Sequence, residues 1–105
     1  MKLANTDFIP GYQIQEVLGL VLGNTVRAKH IGRDIMAGLK SIVGGEIQEY
    51  TDMLSDARKE ALNRMVNQAK KLNADAVINI RFMTSQTMGS AAELLAYGTA
   101  VKLKK

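Results

Sequence analysis

The sequence predicts an α+β fold, a two-layer sandwich in which a small β-sheet packs on one long helix plus a shorter helix. Two observations lead to this class. Apolar residues alternate in several segments, as in strands, and recur every three or four residues in two segments between them, as in helices. Hydrophobic residues make up 47% of the 105 positions, which suffices for a core, so we expect a single domain over residues 1–105.

Two strands are predicted at the start of the chain. Residues 1–8 can form a short strand, which ends at the turn-forming pair Pro10-Gly11. Residues 12–23 alternate strictly, and one face carries Tyr12, Ile14, Glu16, Leu18, Leu20 and Leu22. Gly19 and Gly23 lie on the other face, where the absence of side chains lets a helix or another backbone approach closely.

Two helices are predicted next. Residues 31–43 show helical spacing and end at Gly44-Gly45. Residues 46–72 form a longer helix, whose apolar stripe is Ile47, Tyr50, Leu54, Ala57, Ala61, Met65, Ala69 and Leu72. Asn73 follows this stripe directly and tolerates a left-handed backbone, so we expect it to cap the helix.

Two more strands complete the predicted sheet. Residues 74–84 alternate, with Ala76, Ile78, Ile80 and Phe82 on one face, and a polar loop is expected at residues 85–90. Residues 93–103 form the last strand, with a row of mostly small residues that suits a tightly packed helix. The last two strands can pair as a hairpin, while the helical crossover favours parallel neighbours.

The composition excludes several classes of protein. With no Cys and one His, a single chain has no disulfide framework, thiolate metal site or multi-histidine centre. The net charge of +4 is diffuse, and the one basic cluster, at residues 27–33, contains no aromatic residue, which argues against nucleic acid as a partner. The longest apolar run, residues 17–22, is far shorter than the ~20 residues of a membrane helix, so we expect no membrane and a cytoplasmic location.

Two predicted strands are apolar on both faces, around residues 17–22 and 94–101. One layer of helices covers only one face of a small sheet, and burying a Leu contributes ~1.5–3 kcal/mol relative to exposure. We therefore expect a homo-oligomer whose subunits cover the second face. The alternative is that the helix at residues 31–43 folds over that face.

The order of short motifs resembles the YbjQ-like family, small uncharacterised bacterial proteins labelled as a heavy-metal-binding domain. The motifs are Gly11, Gly19-x-x-x-Gly23, Asp34-Ile35-x-Ala37-Gly38, Gly44-Gly45-Glu46, Tyr50, Ala57-Arg58, Ala61, Ala69, Ala74-Asp75-Ala76-Val77 and Gly98-Thr99-Ala100-Val101. The resemblance covers nearly the whole chain. It implies a dodecin-like subunit and a ring oligomer, a homopentamer, and it leaves a divalent metal open as cofactor.

His30 and Asp34 are the candidate metal ligands. They stand four residues apart near the start of the first predicted helix, which places both side chains on one face. A symmetric ring would gather several copies of this pair. The plainer interpretation is a solvated His near a helix N-terminus.

Six other residues are candidates for a ligand site or subunit interface: Arg58, Asn79, Arg81, Thr84, Ser85 and Tyr97. The polar groups of residues 79–85 could bind an anion or small polar ligand between subunits, or simply face solvent. Arg58 borders the packed helix stripe, where an ion pair with Glu16 or Asp75 is the structural alternative. Tyr97 is expected in the core or an interface, with its hydroxyl bonded.

No Ser/His/Asp set, phosphate loop or nucleophile elbow occurs, so we expect no enzyme. The first functional hypothesis is a ring-forming protein, structural or small-ligand-binding, with sites at subunit interfaces. A metal-binding module is the alternative that the resemblance implies. An enzyme acting on a small polar substrate is a further alternative.

Overall fold

The computed structural model describes residues 1–28, 42–43, 46–87 and 91–105. Its elements are β1 (Lys2–Leu3), β2 (Gln13–Ala28), β3 (Ile42–Val43), β4 (Glu46–Ile47), helix α1 (Gln48–Lys71), β5 (Ala76–Thr87) and β6 (Ala91–Lys104). Four strands form one sheet in the order β1-β5-β6-β2, and α1 packs on one face of it. The predicted α+β arrangement of a small sheet with one long helix is confirmed.

The predicted hairpin of the last two strands is present, whereas β2 and β5, the strands joined by the helical crossover, are parallel but are not neighbours because β6 lies between them. β5 and β6 form an antiparallel hairpin, and β6 pairs antiparallel with β2. β1 is separated from β5 by the helical crossover, and the two strands are parallel. β2 therefore forms one edge of the sheet along its whole length.

The main core lies between α1 and the sheet. Small residues meet there from both sides, Ala61 and Ala69 from the helix and Ala96 and Ala100 from β6. Gly23 marks the closest approach, because a Cβ at this position would lie 2.9 Å from the Arg64 carbonyl carbon and closer still to other backbone atoms of α1. The predicted roles of Gly23 and of the small-residue row are confirmed.

Helix α1 ends as the sequence predicts. Asn73 has φ 60°, its N–H donates to the Lys70 carbonyl at 3.0 Å, and the Ala74 N–H donates to the Ala69 carbonyl at 3.1 Å. This pair of bonds around a left-handed residue is a Schellman cap. It satisfies two carbonyls that the helix would otherwise leave unbonded and turns the chain into β5.

The boundary between the predicted helices is wrong. Ile42–Val43 and Glu46–Ile47 pair as a two-residue antiparallel ladder, and α1 begins at Gln48 instead of residue 46. Three of these four residues are β-branched, and such side chains fit a pleated strand better than a helix terminus. Residues 31–41, which carry most of the shorter predicted helix, lie outside the described residues.

The hairpin strands are longer than predicted. Ser85, Gln86 and Thr87, expected in a polar loop, pair with Glu93, Ala92 and Ala91. Polar side chains are common both in loops and on the solvated face of a strand, so residue type alone does not distinguish the two. Cross-strand pairing bonds their backbone N–H and C=O groups, so the two strands of the hairpin continue to Thr87 and Ala91.

Three β-bulges change which side chains share a face. In β5, Asn79 (φ 53°) and Ile80 together stand opposite one residue of β6, so Ile78 and Ile80 point to opposite faces. In β2, register shifts follow Ile14 and Val17. The strict alternation predicted for both strands is therefore wrong at these points.

Candidate functional site

The face of the sheet opposite α1 is the candidate interaction surface, and we call it the open face. Directly paired residues of neighbouring strands share a face, so the register defines its members. They are Ile14, Val17, Leu20, Leu22, Asn24 and Val26 of β2, Glu93, Leu95, Tyr97, Thr99, Val101 and Leu103 of β6, and Ala76, Ile78, Arg81, Met83 and Ser85 of β5.

The bulges in β2 make this face apolar. Strict alternation from Ile14 would place Glu16 and Leu18 on it, whereas the register places Val17 there between Ile14 and Leu20. Gly19, with φ 133°, occupies the bulge after Val17, where a side chain would be strained. The bulges thus remove a carboxylate from the open face and add a Val.

One end of the open face is covered by the chain itself. Ile9 is buried with Ala76, Ile78 and Val101 in a second small core, and Tyr12 packs against it. The N-terminal segment therefore acts as a partial lid over the early part of β5 and the late part of β6. The remainder of the face has no such cover among the described residues.

The uncovered part exposes large apolar side chains. Val17 and Leu20 are each 63% exposed, Val26 is 59% exposed and Met83 is 56% exposed. Half-buried Leu95 lies opposite Met83 and links the β2 residues to β5. Several large exposed apolar side chains on one face of a sheet mark an interaction site more strongly than a single exposed apolar residue does.

Polar groups border this apolar surface on the β5 side. Arg81 lies directly opposite Tyr97, and its Nη1 donates to the Asn5 carbonyl at 2.8 Å and to the Ile80 carbonyl at 3.0 Å. At the far end, Asn24 Nδ2 donates to Glu93 Oε2 at 3.4 Å across the sheet. The open face is therefore apolar in the middle and polar along part of its rim.

The structure brings together only some of the predicted site residues. Arg81, Tyr97 and Ser85 share the open face, whereas Thr84 points to the helix side because it pairs with buried Leu94. Asn79 lies in the β5 bulge, where its N–H donates to the Thr6 carbonyl at 2.9 Å.

Arg58 lies away from the other candidates, on helix α1. Its Nη2 donates to Ser55 Oγ at 3.2 Å. The ion pair expected with Glu16 or Asp75 does not form, since Asp75 instead pairs with Lys102 at 3.7 Å and accepts the Leu103 N–H at 2.8 Å. The six predicted residues thus occupy at least two separate places on the fold.

The outer edge of β2 is capped by side chains that no motif singles out. The Leu22 N–H donates to Gln68 Oε1 at 2.8 Å, and the Asn24 carbonyl accepts from Arg64 Nη1 at 2.6 Å. Arg64 Nε is in turn paired with Glu60 Oε1 at 3.1 Å. The only sequence signal for these caps is spacing, because residues 60, 64 and 68 recur every four positions on one side of the helix.

The described residues hold no cluster of the side chains that most often bind metal ions. They contain no group of three or more His, Cys, Asp or Glu side chains close enough to hold an ion. The chain has no thiolate to offer, and the thioether of Met65 is fully buried in the helix–sheet core. His30 and Asp34, the predicted metal ligands, lie outside the described residues.

A family model described as "Putative heavy-metal-binding" matches residues 1–104. The chain belongs to this YbjQ-like family. Within the family it is similar to a UPF0145 protein of Archaeoglobus fulgidus, with 68% identity over 102 residues, 97% of this chain and 94% of that one. The UPF0145 protein of Colwellia psychrerythraea is 59% identical over 105 residues, and the alignment covers 100% of both chains.

A solved structure supports the fold. A protein of unknown function from Pediococcus pentosaceus, assigned to the DUF74 family, superposes with a TM-score of 0.69 over 99% of this chain and 98% of that one. The sequence identity is 16%, so the likeness establishes the fold alone.

Within the part of the chain that the structure describes, no helix has the length and hydropathy needed to cross a bilayer.

Proposed function

We propose that this YbjQ-like protein is a cytoplasmic ring-forming homo-oligomer, built from five dodecin-like subunits, that binds a small ligand at its subunit interfaces. The observation that carries the proposal is the row of exposed apolar residues on the open face, with Val17, Leu20 and Val26 each more than half exposed. The ring and its size come from the resemblance to the family. The interface comes from the geometry of the sheet.

The dimensions of the chain favour a partner over this surface. Its accessible surface is 6840 Å² for 11.5 kDa, against about 5800 Å² for a compact monomer of that mass. The excess is comparable to the roughly 800 Å² that each partner buries in a stable interface. The smallest Cα extent is 16 Å, as expected of one helix layer packed on one sheet.

The ligand part of the proposal rests on the polar rim. Arg81 and Tyr97 stand opposite each other on β5 and β6, and Ser85 lies on the same face further along β5, beyond Met83. A partner seated on the apolar middle would bring a second chain against these groups. We infer that a small polar or anionic ligand would bind there, because a guanidinium and hydroxyls offer donors to an anion.

Mass measurement tests the assembly. Light scattering and native mass spectrometry should give five times the 11.5 kDa subunit mass at micromolar concentration. Leu20→Glu should yield a folded monomer, since it places a charge in the middle of the interface. Leu72→Glu, a matched change at an exposed apolar residue near the end of α1, should leave the mass unchanged. A monomeric wild-type chain would contradict the proposal.

Metal binding is the second candidate, supported by the family description. It would need ligands from several chains, and we propose His30 and Asp34 in that role. Calorimetry with zinc, copper and nickel salts should show binding that the variants His30→Ala and Asp34→Ala both weaken. Heat no greater than dilution at tens of micromolar protein would exclude this candidate.

A further inference from the structure

A cavity of about 510 Å³ opens at the outer edge of β5, on a different part of the molecule from the middle of the open face. It lies between the N-terminal segment, the middle of β5 and helix α1. It is lined by Leu3, Ala4, Asn5, Leu62, Ile80, Arg81 and Phe82. We call it the β5-edge cavity.

The bulge at Asn79 creates this cavity. The N-terminal segment follows β5 only as far as the bulge, where the Asn79 and Ile80 N–H groups donate to the Thr6 and Ala4 carbonyls at 2.9 and 3.1 Å. The bulge turns Ile80 toward α1, so its side chain and Leu62 form the inner wall. Within the described residues no strand continues beside β5 beyond this point, and the cavity stays open to one side.

The walls of the cavity are unusually apolar for an exposed position. Phe82 is 48% exposed and Leu3 is 42% exposed, although both lie in a concave site. Together with Ala4, Leu62 and Ile80 they leave Asn5 and Arg81 as the only polar side chains among the described lining residues. A volume within the usual 300–1,000 Å³ range and an apolar lining are typical of a small-molecule site.

Arg81 supplies the single charge. Its Nη1 is held by the Asn5 and Ile80 carbonyls at 2.8 and 3.0 Å, which fixes the plane of the guanidinium at the cavity rim. None of the lining residues that the structure describes is acidic, and no carboxylate of the described residues is paired with Arg81. The Nε and Nη2 hydrogens remain as an oriented pair of donors, the geometry that binds a carboxylate.

We propose that the β5-edge cavity binds small amphipathic monocarboxylates, with the carboxylate on Arg81 and the apolar body against Phe82, Leu3 and Leu62. One cation matches one carboxylate, whereas a phosphate dianion would call for further donors or a second cation. Of the described lining residues only Arg81 belongs to the open face, so binding in the cavity can be measured whether or not the proposed ring forms.

The test uses 4-phenylbutanoate and its uncharged analogue 4-phenylbutan-1-ol, titrated against the full-length chain by NMR. A ligand of this size should bind with a Kd of roughly 1 mM. The amides of Leu62, Ile80 and Phe82 should shift, and the alcohol should bind about tenfold more weakly because it lacks the charge-assisted bonds. No shift at these amides, or equal affinity for the two probes, would overturn the proposal.

Variants distinguish binding of the carboxylate by the charge of Arg81 from a purely structural role of this residue. Arg81→Gln should weaken the carboxylate about tenfold and leave the alcohol unchanged. Phe82→Ala should weaken both probes by the same factor, and Lys59→Gln, at an exposed helix position outside the cavity, should weaken neither. If Arg81→Gln loses both probes, Arg81→Lys decides: retained preference for the carboxylate supports the site, and lost preference overturns it. Light scattering of the same samples reports the ring independently.

Discussion

Gly23 shows how one position sets the distance between the two layers. Its missing side chain leaves room for the backbone of α1 at Ala61, Arg64 and Met65, and most of the other buried residues of this core are Ala or Val. Gly19, four residues earlier, has open space where its Cβ would be and is instead required for its positive φ. Two glycines in one motif therefore serve different physical purposes.

Gly23→Ala should destabilise the fold by about 1–3 kcal/mol or more, because the added methyl overlaps helix backbone that cannot move as a side chain can. Urea denaturation followed by circular dichroism measures the free energy of unfolding. Gly19→Ala is the comparison: we expect its backbone strain to be relieved locally, with a smaller loss of about 1 kcal/mol. Equal losses for the two variants would contradict the assignment of the close approach to Gly23.

At the scale of elements, helix α1 stabilises β2 in two ways. Its apolar stripe packs on the face of the strand, and its flank at residues 60–68 bonds the outer edge through Arg64 and Gln68. An unprotected edge strand of sixteen residues can pair unspecifically with strands of other chains, because its outer backbone groups are free to bond. The helix thus protects the middle of the strand from such pairing and leaves the open face for specific contacts.

Removing both caps should expose that edge. In the double variant Arg64→Ala and Gln68→Ala, the Leu22 amide loses its acceptor, and its hydrogen exchange should accelerate about fivefold to tenfold, the equivalent of one hydrogen bond of about 1 kcal/mol. The control is Lys59→Ala with Asn63→Ala, which removes two exposed side chains from another side of the helix. An unchanged hydrogen-exchange rate of the Leu22 amide in the double variant would contradict the proposed role of Arg64 and Gln68.

The sequence predicts the positions of the strands and the long helix better than it predicts which face of the sheet each side chain lies on. The alanine row of β6, the stripe of α1 and the cap at Asn73 can be read from residue types, because spacing and φ preference act locally. The bulges depend on how two strands pair, so alternation places Glu16 and Ile80 on the wrong faces. Asn79, a residue type that tolerates positive φ, was the one local signal for the bulge in β5.

The candidate site was less predictable than the fold for the same reason. Arg81 and Tyr97 are sixteen residues apart in the chain and become neighbours only through the register of the hairpin. Thr84 and Ser85 are adjacent in sequence and point to opposite sides of the sheet. The apolar open face was predicted from the two-sided hydrophobicity of β2, although Val17 rather than Leu18 provides part of it.

At the scale of the whole molecule, the chain is long and thin, with Cα extents of 54 × 27 × 16 Å and a radius of gyration of 17.2 Å. A compact domain of this length has a radius of gyration of about 13 Å. Such a shape buries less surface within one chain, and in the proposed oligomer the subunit contacts would bury more of it. Folding and assembly should therefore be coupled.

This coupling predicts a concentration-dependent Tm. Because the oligomer is favoured by mass action, the Tm of the wild-type chain should rise steadily across a roughly hundredfold increase in protein concentration. Leu20→Glu should have a lower Tm that does not change with concentration. Differential scanning calorimetry measures both, and a wild-type Tm independent of concentration would contradict the coupling.

The bulge at Gln15 has a consequence for changes in chain length. Gln15 is exposed and is the extra residue between Ile14 and Glu16, which face successive residues of β6. Deleting Gln15 would restore plain alternation between Ile14 and Val17 and leave every other side chain of β2 on its present face. Deleting Val21, which has a partner in β6, would instead invert one part of the strand relative to the other. A one-residue deletion in β2 therefore keeps the other side chains on their present faces only if it removes the extra residue of a bulge.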